Sequence, residues 1–77
     1  MRFKLYDVTS TGEKIDTGKI LEMSDVNDAA RAVMKYYGWT QYHESYRVRP
    51  IDKDNACVTY PYADGTKDTW KVERIPE

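Results

Sequence analysis

Histidine and cysteine each occur once in this 77-residue chain, as His43 and Cys57. Nucleophilic catalysis would therefore rest on that single pair, which needs a third orienting group and an oxyanion site that no local motif supplies. A lone small cysteine in a strand-like run reads as packing or neutral surface, and His43 reads as a connection residue. No two histidines or cysteines stand at zinc-ligand spacing, so the sequence predicts no metal centre. Asp52-Lys53-Asp54-Asn55 opens like a calcium loop, but the glycine position holds Cys57 and the closing glutamate position holds Ala63. It is expected to be a turn. The glycines, Gly12, Gly18, Gly38 and Gly65, are scattered singly and form no phosphate-binding loop. Carboxylates cluster in turns and in the early helix, where spacing alone pairs none of them for acid–base work. The expectation is a protein that is not an enzyme and carries no cofactor.

Two other groups of side chains suit binding. Two Trp, seven Tyr and one Phe are present, and the stretch from Tyr36 to Tyr46 gathers Tyr36, Tyr37, Trp39, Tyr42 and Tyr46. Tyr37 and Trp39 are expected to serve the fold. Tyr36, Tyr42, His43 and Tyr46 form a candidate partner-binding surface, because tyrosine buries a large area with few rotors and keeps a polar tip. The same side chains would serve equally as a lid on a thin core. The second group follows from strand parity. If Phe3, Leu5, Tyr46, Val48, Trp70 and Val72 face a helix, the opposite sheet face carries Arg2, Lys4, Tyr6, Arg47, Arg49, Lys67, Thr69 and Lys71, with Glu73 as its main acid. Cations beside an aromatic suit phosphate contact and base stacking, although exposed sheet faces also carry Lys and Arg simply for solubility and edge protection.

These groups need elements to hold them. Residues 2–8 alternate as a half-buried strand. The turn cluster Thr9-Ser10-Thr11-Gly12-Glu13 leads into a second strand from about Lys14 to Met23, with a bulge expected near Gly18 to reconcile Ile20 with the parity of Ile15 and Leu21. Ser24 reads as a helix N-cap. Val26, Ala29, Ala30, Val33, Met34 and Tyr37 then follow a helical stripe over roughly Asp25 to Tyr37, closed by Gly38. Strand-like runs follow at Ser45–Ile51, Ala56–Tyr62 and Lys67–Ile75, separated by Asp52–Asn55 and by Ala63-Asp64-Gly65-Thr66. Pro50 and Pro61 belong at edges or bulges. The fold class is α+β: a small antiparallel sheet with one helix on one face, order ββαβββ, in a single domain over 1–77.

A composition of 40% hydrophobic and 32% charged residues predicts a folded domain, and so small a domain has a thin core. Self-association into a homodimer is one way to supplement it. A net charge of −1 excludes both a globally basic nucleic-acid binder and a strongly acidic mimic of nucleic acid. A single cysteine and the absence of an apolar run at the N-terminus predict a cytoplasmic protein without membrane association.

In size, composition and expected architecture the chain resembles the small phage-encoded inhibitors of host defence of the anti-CRISPR type, viral proteins with a few antiparallel strands and one helix. The resemblance implies no particular site residue. It implies a non-enzymatic protein-binding module that inhibits a larger host enzyme or nucleoprotein complex, here through the aromatic connection. The alternative read from the residues is a nucleic-acid-binding module using the basic sheet face.

Overall fold

The computed structural model describes residues 1–36 and 46–76. Five strands and one helix follow in the order β1 (Arg2–Val8), β2 (Lys14–Glu22), α1 (Val26–Tyr36), β3 (Arg47–Pro50), β4 (Asn55–Pro61) and β5 (Lys67–Arg74). The strands form one antiparallel sheet with spatial order β2-β1-β5-β4-β3. The two ends of the chain supply its centre, since β1 pairs with both β2 and β5. The α+β class and the ββαβββ order expected from the sequence are therefore present.

Strand parity decides which face the helix covers. Phe3, Leu5, Ala56, Val58 and Val72 are fully buried, with Tyr60, Trp70 and Leu21 nearly so. Register aligns them in rows, Leu5 opposite Val72 and Val72 opposite Ala56, Val58 opposite Trp70. Helix α1 lays Val26, Ala29, Ala30 and Val33 onto that surface, chiefly over β3, β4 and β5. The two alanines, without side-chain bulk, let the helix backbone come close to the sheet. Tyr46, Val48, Met23 and Ala32 pack around the margin of the core.

Two local details differ from the sequence reading, and a third is shared by both hairpins. The N-cap is Asp25 rather than Ser24: Asp25 Oδ1 accepts the Asp28 N–H at 2.8 Å, and its carbonyl accepts the Ala29 N–H. Ser24 instead donates its hydroxyl to the Asp28 carboxylate at 2.9 Å, one turn inside the helix. A carboxylate reaches the first-turn N–H groups and complements the helix dipole as well. The bulge at Gly18 exists, with φ +77° there. However, the step from Lys4 to Tyr6 is opposed by the longer step from Ile20 to Asp16, so a pair of extra residues is inserted and parity is kept. Ile20 consequently stays on the outer face beside Lys4, half exposed. Finally, the two β-hairpin loops share one geometry. In the first, the Thr9 N–H donates to the Glu13 carbonyl and the Gly12 N–H to the Thr9 carbonyl; in the second, Tyr62 pairs with Thr66 and Gly65 with Tyr62 in the same way. Each is a three-residue loop whose last residue is a glycine at positive φ, +87° at Gly12 and +91° at Gly65.

The Asp52–Asn55 segment is a turn. Asp52 Oδ1 accepts the Asp54 N–H at 2.8 Å and the Asn55 amide at 3.0 Å, which holds its carboxyl below the ordinary range. No group of potential metal ligands occurs among the described residues. No described helix is long and apolar enough to cross a membrane.

Candidate binding face

The face of the sheet opposite α1 is built by the residues that alternate with the core. Arg47 stands opposite Thr59 and Thr59 opposite Thr69, which in turn pairs with Val8. The next row runs Arg49, Cys57, Lys71, Tyr6, Asp16, and the one after it Asn55, Glu73, Lys4, Ile20. Arg2 and Lys67 stand on the same parity, each the first residue of its strand, and so at opposite ends of the antiparallel β1–β5 pair. All seven residues read from the sequence as a possible nucleic-acid surface, Arg2, Lys4, Tyr6, Arg47, Arg49, Lys67 and Lys71, thus share one face.

The face is not uniformly cationic. Glu73, in the central strand, accepts Lys14 Nζ at 2.6 Å and Lys71 Nζ at 3.0 Å, and Lys4 Nζ meets Asp16 Oδ2 at 3.0 Å. The hydrogen bond from Lys14, then that from Lys71, holds the Glu73 carboxyl below its ordinary range, and the same contact raises the Lys14 ammonium above its own. Asp16 is lowered first by the Gly18 N–H at 2.7 Å and then by Lys4. Both acids stay ionised at neutral pH and offset the lysines around them. Arg2, Arg49 and Lys67 have no carboxylate partner among the described residues. Arg47 donates to the Tyr46 carbonyl at 3.3 Å.

Lys14 also lies over the Tyr6 ring, 4.5 Å from its centroid. A nucleobase could stack on that side of the ring only by displacing the ammonium. Lys14, Asp16 and Ile20 belong to this face although sequence reasoning did not place them there. For Lys14 and Asp16 the signal was available, because a three-residue loop closed by Gly12 sets Val8 opposite Lys14 and hence Tyr6 opposite Asp16.

The aromatic candidates fare differently. Tyr46 is half-buried and packs against the core at the start of β3. Tyr36 is the last residue of α1, and its side chain lies outside the described residues, as do Tyr42 and His43 entirely. Elsewhere, Tyr62 donates its hydroxyl to Asp68 at 2.6 Å, which pushes its pKa up to about 12, and meets Tyr60 edge-on with ring centroids 5.1 Å apart. Cys57 is a partly exposed thiol between Arg49 and Lys71 in its row.

Comparison with protein-family models, with curated proteins and with solved structures gives no match to this chain, so the chemistry of this face has to carry the functional reading.

Proposed function

We propose that this chain is a non-enzymatic binding module that holds single-stranded nucleic acid on the sheet face opposite the helix. The observation that carries the reading is the register itself, which assembles the cations of β1, β3 and β5 on one face. That surface spans five strands and is not covered by α1. Of its carboxylates, Asp16 and Glu73 are engaged with lysines and Glu22 stands opposite Arg2, an arrangement that suits charge compensation rather than proton transfer. Exposed ion pairs contribute only about 0–1 kcal/mol each to the fold, but while they hold they occupy Lys4, Lys14 and Lys71, so the unpaired cations of the face make the first phosphate contacts. Threonines at 59 and 69 add hydroxyl donors between the cations. A near-neutral protein of this kind binds weakly and with strong dependence on salt.

Titration of a short fluorescent single strand at several salt concentrations tests the proposal. Affinity at low salt that falls steeply as salt rises, and that weakens in an Arg49→Gln, Lys67→Gln double variant, supports it. No affinity even at low salt would sink it. The inhibitor reading needs side chains at 36, 42 and 43, outside the described residues. A Tyr42→Ala, Tyr46→Ala variant that loses a protein captured by the wild type, with no nucleic-acid affinity in either, would favour that reading instead.

A further inference from the structure

The two glycine-closed hairpin loops leave the sheet at the same end, because Val8 at the end of β1 pairs with Thr69 near the start of β5. Between them lies a cleft of about 460 Å³. One wall is Thr9, Ser10 and Gly12, the other Gly65, Thr66 and Lys67, and its floor is formed by Val8 and Thr69 of the outer face. No lining residue is acidic. Four carboxylates adjoin these residues in the chain, Asp7, Glu13, Asp64 and Asp68, and none of them lines the cleft. Asp64 is turned onto its own loop, accepting the Thr66 N–H at 2.9 Å and the Thr66 hydroxyl at 2.6 Å, and Asp68 accepts the Tyr62 hydroxyl at 2.6 Å. The Thr9 hydroxyl is likewise occupied, by the Glu13 N–H and by Thr11. Three donors remain without a hydrogen-bond or ion-pair partner among the described residues: the Ser10 and Thr69 hydroxyls and the Lys67 ammonium. At both glycines the space where a Cβ would stand is open, with no atom within 4 Å, so backbone is presented bare on either side.

Hydroxyl donors, one unpaired ammonium and no competing acid select an acceptor-only anion with several oxygens. The cleft is larger than a bare phosphate requires and falls within the range of small-ligand pockets, about 300–1,000 Å³. It also opens onto the row that runs from Thr69 through Thr59 to Arg47. We propose that this cleft holds the terminal phosphate of a bound strand, a phosphomonoester, with Lys67 balancing its charge and Ser10 and Thr69 donating to its oxygens. The inference rests on the nucleic-acid reading of the same face and deepens it, giving the strand a fixed end.

The test compares single strands of one sequence bearing a 5′-phosphate, a 3′-phosphate or hydroxyls at both ends, with inorganic phosphate as a separate probe followed by amide NMR signals. One phosphorylated end is expected to bind about tenfold more tightly than the hydroxyl-ended strand, the increment of one charge-assisted contact. Lys67→Gln and Thr69→Val should each reduce that preference, while a Ser10→Ala variant with unchanged melting tests the third donor. Equal affinity for all three strands in the wild type overturns the terminal-phosphate inference and leaves the face reading standing. If no strand binds, the face reading fails. Inorganic phosphate shifting the Ser10 and Thr69 signals would then retain the cleft as a phosphate site, and no shift would end both.

Discussion

Replacing Glu73 by Gln should strengthen nucleic-acid binding while slightly weakening the fold. Glu73 holds two ammonium groups, Lys14 at 2.6 Å and Lys71 at 3.0 Å, on a face that would otherwise offer both to phosphate. The amide is nearly isosteric and uncharged, so it frees both lysines at their positions. Each additional phosphate contact to a single strand adds about 0.7 to the slope of log affinity against log salt, so two add about 1.4. Counterion release alone then raises affinity by up to roughly 60-fold at about 50 mM salt and about tenfold at about 200 mM. The stability cost is about 1 kcal/mol, since both pairs are partly exposed. Acid should act in the same direction. The folded carboxyl titrates below the unfolded value of about 4.3, so its contribution to stability is complete above that pH and is lost as pH falls through the folded value. Fluorescence anisotropy across a salt series reads affinity and slope together, and urea unfolding reads the stability. Unchanged or weaker binding by Glu73→Gln, in a variant that still folds, refutes the idea that this carboxylate restrains a phosphate-binding face.

Other outcomes follow from single contacts. Gly65→Ala should cost about 1–2 kcal/mol in urea unfolding, because φ is +91° there and the added methyl strains the backbone without meeting any neighbour. Asp25→Ala should cost about 1 kcal/mol by removing the helix cap, whereas Ser24→Ala should cost less; the reverse order would contradict the capping geometry. Ultraviolet titration should show a late component from Tyr62, ionising near 12, and Asp68→Asn should return it toward about 10. Because the folded value is raised, the Tyr62–Asp68 contact stabilises fully below about pH 10 and is lost as pH rises from there toward the folded value. A tyrosine titration with no late component would remove that contact from the description.

Much of the architecture was legible because its signals are local. Alternation of Phe3 and Leu5 with Arg2, Lys4 and Tyr6, and the helical stripe Val26, Ala29, Ala30, Val33, each imply a face without knowledge of the partner. The cations were assigned to the correct face for the same reason. Pairing between distant strands was not legible: only the sheet order shows that Glu73 sits within reach of Lys14, 59 positions away, and so offsets two lysines rather than standing as an isolated acid. Ile20 escaped because a bulge can insert one residue or two, with opposite consequences for parity, and periodicity does not distinguish them. The cap shifted by one residue because Ser24 and Asp25 are both strong cap formers, and the choice between them depends on the entry angle of the chain. The cleft between the hairpins had no sequence signal beyond the repeated placement of glycine in Thr9–Glu13 and Tyr62–Thr66. Its existence depends on β1 and β5 being neighbours.

The most direct measurement is an NMR titration of the labelled protein with a single strand at low salt, following methyl and side-chain signals on both faces of the sheet. Shifts should concentrate at Val8, Thr59, Thr69, Arg49 and Lys71, leave Ala29, Ala30 and Val33 under the helix nearly unmoved, and reverse when salt is raised. Shifts confined to residues 36–46, or none anywhere, would contradict binding through the open sheet face.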